Sequence, residues 1–244
     1  MNQFNDIVRR IPPVTKNLII INFIVWLAML AMPRTFGSWS MHYCSLHYVM
    51  APDFNAAQLF TYMFIHSGFM HILFNMFTLY MFGPHIERAI GSARFLFFFI
   101  ACGIGAAVIQ EGIWALTLPD LITTEMARLN FASVEDMKVY LAANPQVMTE
   151  SLNVFTTVGA SGAIYGVLMA FAMLFPNVPM YLYFIPVPVK AKWMVAGFIV
   201  LELLIGLSSA NDGVAHFAHL GGILVGFIII YIWKKRNIIH GSDY

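Results

Sequence analysis

Six apolar runs, near residues 17 to 32, 68 to 83, 94 to 112, 159 to 176, 193 to 210 and 214 to 233, limit this chain more than any other feature. Each is read as long enough to cross a bilayer as a helix. Inside hydrocarbon a backbone has no water to bond, so a segment must satisfy its own N–H and C=O groups, and helices do so. Composition agrees: of 244 residues 60% are hydrophobic and 10% charged, against about 45 to 50% apolar and about 25% charged in soluble domains. That excess cannot be hidden in one soluble core. The predicted fold is an all-α membrane protein, a bundle of six transmembrane helices in one domain.

A net charge of +1 offers no footprint for nucleic acid. Cys44 and Cys102 lack metal-ligand spacing, and Cys102 lies in an apolar run as a small hydrophobe. Lys and Arg set the orientation. Arg9, Arg10 and Lys16 precede the first run; Arg88 and Arg94, Lys190 and Lys192, then Lys234, Lys235 and Arg236 follow on the same side. The other side holds Arg34, Arg128 and Lys138. Both termini are therefore expected in the cytoplasm of a multi-pass protein of a cell membrane, with a bacterial inner membrane as the expected location. The expected division is an N-terminal segment 1–16, a membrane domain 17–233 and a C-terminal tail 234–244. The first run follows a long polar leader and has no small-residue cleavage site behind it, so an uncleaved helix is expected, not a signal peptide.

Two outer segments are long. Residues 33–67 carry Trp39, His42, His47 and Tyr48 among polar neighbours, a composition suited to the membrane interface. In residues 113–153, Glu125, Arg128, Glu135, Asp136 and Lys138 alternate with Leu129, Phe131, Val134, Val139 and Leu141, which predicts one or two short amphipathic helices on or above the bilayer.

Polar groups within a span are costly and usually face the bundle interior. His71, Asn75, Ser161, Tyr165 and His219 stand out. Ser161 lies in Gly159-Ala-Ser-Gly-Ala, where small residues by themselves more often mark helix packing than chemistry. His219 changes that balance, because it sits a few residues inside the last span with Gly222 and Gly226 behind it. Counted from the outer side at about 1.5 Å per residue, Ser161 and His219 descend to roughly 10 and 7 Å, a shared depth. A serine becomes a useful nucleophile when a neutral imidazole lies within hydrogen-bond reach. His71 and Asn75, four apart on one helical face, reach the same level and are either an interhelical link or donors to an oxyanion.

Over nearly its whole length the chain resembles the rhomboid family of intramembrane serine proteases. His66-Ser-Gly-Phe-Met-His71-Ile-Leu-Phe-Asn75 is similar to the family's second-helix motif, Gly159-Ala-Ser161-Gly162 with Tyr165 to its fourth-helix motif, and Ala218-His219 with Gly222 and Gly226 to its sixth. Gly83 and Glu87 before Arg88 resemble its inner turn. The resemblance implies a rhomboid-like six-helix bundle in which Ser161 is nucleophile and His219 general base. It further implies that Tyr165 supports the His219 ring and that His71 and Asn75 help bind the oxyanion. Neither cofactor nor metal is implied. The implied partners are the bilayer and single-span membrane proteins cut near the outer ends of their spans.

Two departures matter. Where family members often carry a Trp-Arg pair in the first outer loop, this chain reads Ala57-Gln58-Leu59-Phe60 before Thr61, which leaves open how that loop is anchored. The outer segment 113–153 is longer than in the shortest bacterial members. His216 is a weaker candidate for the base than His219, being nearer the outer end, and His66 is read as a loop or packing residue. Glu202, in the fifth span, is conceivable as a third member of a triad, but an internal hydrogen bond is the favoured reading, and the family site has two residues without it. Two rivals remain beside the protease: an inactive rhomboid-like protein that binds membrane clients, and a small transporter with His71, His219 and Glu202 as relay groups.

Overall fold

The computed structural model describes residues 11–130, 133–181, 187–208 and 214–239. Arg9 and Arg10 lie outside them, as does Phe131. The long helices are α1 (Pro13–Ala31), α4 (Phe69–Ile90), α5 (Ser92–Leu129), α8 (Ser161–Leu174), α9 (Ala191–Leu207) and α10 (His216–Lys235). Shorter pieces fill the connections: a π-helical turn (Pro33–Gly37), α2 (Ser38–Cys44), α3 (Gln58–Thr61), α6 (Val134–Ala143) and α7 (Pro145–Ser151). Two small antiparallel ladders pair β1 (Leu46–His47) with β2 (Thr156–Thr157), and β3 (Pro179–Met180) with β4 (Val189–Lys190). The protein is thus all-α in class. Among the described residues three helices, α1, α5 and α10, are both long and apolar enough to cross a membrane. α8 is apolar but has 14 residues, and α9 has 17.

α1 opens on Pro13 at its first position, where the missing N–H would be unbonded anyway. The next free donors are met from another helix: Glu87 accepts from Val14 N at 2.9 Å, and from Thr15 N and Thr15 Oγ1 at 2.7 Å each. Ser92 Oγ, in the first turn of α5, donates to the same carboxyl at 2.7 Å. One buried acid therefore joins α1, α4 and α5 at the inner turn, beside the reversal that Gly91 makes at a φ of 84°.

α5, α8 and α10 form the tight centre. A Cβ on Gly222 would fall 1.8 Å from the Gly162 carbonyl oxygen, and one on Gly226 would fall 2.9 Å from the Gly166 Cα. A Cβ on Gly166 would meet Cys102 Sγ at 2.5 Å, and one on Gly162 would meet Ala106 Cβ at 2.5 Å. The glycines let α8 and α10 pack main chain against main chain and bring α5 close through Cys102 and Ala106, the usual route to close association where lipid gives no hydrophobic drive between helices. Cys102 is here a fully buried packing residue.

One boundary differs from expectation. The third span was expected to stop near 112, with short helices beyond, yet α5 runs on to Leu129 as one helix of 38 residues. Its outer half buries Trp114, Leu118 and Ile122, spaced four apart, so the amphipathic pattern belongs to a continuing helix and not to a new one. Only α6 and α7 match the expected short helices. Ala127 of α5 packs with Met137 and Leu141 of α6, and Ser133 caps α6 by accepting from Asp136 N at 3.0 Å.

Candidate active site

Ser161 is the first residue of α8, and its position follows from the segment before it. Thr157 pairs with Leu46 and Thr156 with His47, which ties this segment to the first outer loop. Gly159 then turns at a φ of 115°, a region that L side chains rarely enter. A Cβ there would also fall 2.5 Å from His71 Nε2, so two constraints coincide on one residue. Gly159 N donates to the Tyr62 carbonyl at 2.9 Å, while the Tyr62 hydroxyl donates to the Gly103 carbonyl at 2.7 Å. Sequence reasoning passed over Tyr62; a fully buried tyrosine is visible only once its partner on α5 is known.

His219 stands one turn inside α10, and the Gly162 to Gly222 contact draws its helix against α8. Ser161 Oγ lies 2.8 Å from His219 Nε2. Tyr165, one turn after Ser161, stacks on the His219 ring with centroids 4.3 Å apart and planes 9° from parallel. His216 Nδ1 lies 2.6 Å from Glu202 Oε2. Glu202 is bonded, as expected of an intramembrane acid, but its partners reach further than expected. The Tyr165 hydroxyl donates to its Oε1, and His219 Nδ1 lies 3.1 Å from the same oxygen.

His71 and Asn75 line the same cavity as Ser161, Tyr165 and His219, a space of about 2600 Å³ that extends between α4 and α9 along Phe74, Met81, Met194 and Phe198. His71 Nδ1 lies 3.1 Å from Ser67 Oγ, leaving Nε2 toward Gly159. Asn75 Nδ2 donates to the His71 carbonyl at 3.0 Å, which occupies one of the two N–H groups of its amide. His66 packs edge-on against His71, with ring centroids 5.0 Å apart. Burial, with the His71 ring adding to it, pushes its pKa down to about 3, so it is a neutral packing group.

The first outer loop is held by Gln58, in the place where the family often has other residues. Gln58 is fully buried; its Oε1 accepts from His47 N at 3.1 Å and its Nε2 donates to the Asp53 carbonyl at 2.9 Å. Thr61 Oγ1 adds a bond to the Cys44 carbonyl at 2.9 Å. Two clusters bring possible metal-ligand atoms within 4.8 Å of one another, His42 with His47 and Asp53, and Glu202 with His216 and His219. In the second, the Tyr165 hydroxyl and a ring nitrogen of each histidine face the carboxylate.

Residues 53–236 match the rhomboid domain family model. The chain belongs to the rhomboid family. This rhomboid is 29% identical over 178 residues to the rhomboid protease AarA of Providencia stuartii, covering 68% of this chain and 52% of that protein. It is 30% identical over 174 residues to the mitochondrial RHOMBOID-like protein 12 of Arabidopsis thaliana, covering 70% and 44%. To the mitochondrial Rhomboid protein 1 of Saccharomyces cerevisiae it is 27% identical over 170 residues, covering 70% and 39%. The chain thus spans about half or less of the length of these three relatives. Family and apolar helices together make it an integral, multi-pass membrane protein, and its family is that of intramembrane serine proteases and their inactive kin.

Proposed function

We propose that this rhomboid is an intramembrane serine endopeptidase that cuts single-span membrane proteins near the outer ends of their spans. The observation that carries the reading is the 2.8 Å contact between Ser161 Oγ and His219 Nε2, at the wall of a cavity reaching between two helices. The Oγ attacks the scissile carbonyl while its proton passes to Nε2; the C–N bond then breaks as Nε2 returns that proton to the leaving amine. Water repeats the sequence and frees the acid, regenerating Ser161. Negative charge on the carbonyl oxygen is met by the backbone N–H of Ser161 at the start of α8, by His71 Nε2 and by the second N–H of Asn75. Neither metal nor cofactor takes part.

A helical substrate has its carbonyls engaged, so it must unwind locally to be cut. Small or helix-breaking residues near the outer end of its span therefore favour cleavage. Six spans with both termini in the cytoplasm follow from the positive charge at Arg88, Arg94, Lys190, Lys192, Lys234 and Lys235, and the cell membrane of a bacterium is the location this reading adopts. The test is labelling by a fluorophosphonate, with cleavage of a single-span substrate followed in parallel. Wild type should label and cut, and Ser161→Ala should do neither. Robust turnover by purified Ser161→Ala would end the proposal.

A further inference from the structure

The family site is described by two residues, yet in this chain a third group faces the far edge of the base. We infer that Glu202 is a positioning residue that holds His219 in the tautomer able to take the serine proton, an inference that rests on the proposed protease reading. For His219 Nε2 to accept from Ser161 Oγ, 2.8 Å away, the ring's hydrogen must sit on Nδ1. That Nδ1 is buried and has no hydrogen bond of good angle, and Glu202 Oε1, 3.1 Å away, is the acceptor that faces it.

The carboxylate is itself fixed from two other sides. Oε1 also accepts from the Tyr165 hydroxyl, and Oε2 faces His216 Nδ1 at 2.6 Å. Three donors converge on an acid from α8 and α10, and an ionised carboxylate, which accepts only, is the form that serves all three. Glu202 acts on the base by two routes. It offers the acceptor that selects the Nδ1–H tautomer, and it pins the tyrosine whose ring lies flat on His219. The competing account is a plain clamp that fastens α9 to its neighbours. A clamp would lower stability and alter substrate binding, but it would leave the tautomer of His219 unchanged.

The experiment uses the full chain in detergent and in liposomes. Glu202→Gln keeps the shape of the side chain but turns half of the acceptor pair into a donor. In a soluble serine protease the equivalent acid-to-amide change lowers kcat by about 10⁴ through the wrong tautomer. Here kcat is expected to fall by roughly 10² to 10⁴ with KM within a few-fold of wild type, and Glu202→Asp should recover part of the loss. Nitrogen-15 spectra of ring-labelled wild-type protein should place the hydrogen of neutral His219 on Nδ1, and Glu202→Gln should shift the population toward Nε2. This second readout needs no turnover: an Nε2–H tautomer in wild type is enough to overturn the inference, and the shift in Glu202→Gln separates it from a clamp. An Nε2–H tautomer in wild type, or a folded Glu202→Gln with kcat within twofold of wild type, overturns the inference. Ser161→Ala run alongside keeps the two ideas apart. If it stays inactive while Glu202→Gln is fully active, the positioning role fails alone; if it remains active, the serine mechanism fails and the tautomer still tests the contact.

Discussion

α8 and α9 are both apolar helices of similar length, yet they are held in opposite ways. Ten of the 14 residues of α8 are buried, against four of the 17 in α9: Ala191, Met194, Val195 and Glu202. α8 carries Gly162 and Gly166 where neighbouring main chains press in, whereas Leu201, Leu203, Leu204 and Leu207 of α9 are exposed on the protein surface. Apolarity alone therefore does not place a membrane helix in the centre of a bundle, because lipid satisfies a leucine as well as protein does. Small residues decide the centre. In the outer half of α9 the one buried residue is Glu202, and the cavity beside Ser161 opens along that helix.

The contrast can be broken most sharply at the seam that α8 and α10 share. Ser161→Ala and His219→Ala should each abolish cleavage with little change in thermal stability, and the double variant should be hardly worse, since in another serine protease removing the serine or the histidine alone costs about as much as removing the whole unit, roughly 10⁶ in kcat. Single-turnover assays on folded protein check this. Next in size, His71→Ala or Asn75→Ala should lower kcat by roughly 10² to 10³, the usual cost of one oxyanion donor, with less change in substrate binding. The double substitution should be worse than either. Wild-type kcat in all three would return the pair to an interhelical link.

Smaller effects separate the helices themselves. Gly222→Ala pushes a methyl group to within 1.8 Å of the Gly162 carbonyl oxygen. Overpacking of this kind costs about 1 to 3 kcal/mol, so the melting temperature should fall and activity with it as α8 and α10 are forced apart. Leu204→Ala on the exposed face of α9 is the control. Its stability change should stay within about 0.5 kcal/mol, measured as a shift in detergent melting. A loss as large as that of Gly222→Ala would mean that α9 is packed as firmly as α8.

The all-α class was legible from run length, because hydrocarbon leaves a spanning backbone few alternatives. The approach of Ser161 to His219 was legible as depth: both lie near the start of helices descending from one end, and rise per residue converts position into height. Depth says nothing about azimuth. That is why Glu202 could be recognised as buried and bonded, while its contacts with Tyr165, His216 and His219 could not be foreseen. Gln58 was invisible for a related reason, since a buried glutamine joining two loop carbonyl and amide groups has no periodic signal. The continuation of α5 was missed because the charged residues from Glu125 on, alternating with apolar ones, suggest separate short helices, although Trp114, Leu118 and Ile122 keep one face in step.

The length of α5 also bears on how the molecule stands in its solvent. At 1.5 Å per residue its 38 residues extend about 57 Å, nearly twice the roughly 30 Å of hydrocarbon that a bilayer offers. The inner half is clamped by neighbours, while the outer half bears α6 and, through Glu111, which accepts from Val49 N at 2.8 Å, the first outer loop. That outer half is held too, by its buried Trp114, Leu118 and Ile122. α5 thus carries its contacts with α6 well beyond the length that one hydrocarbon core requires.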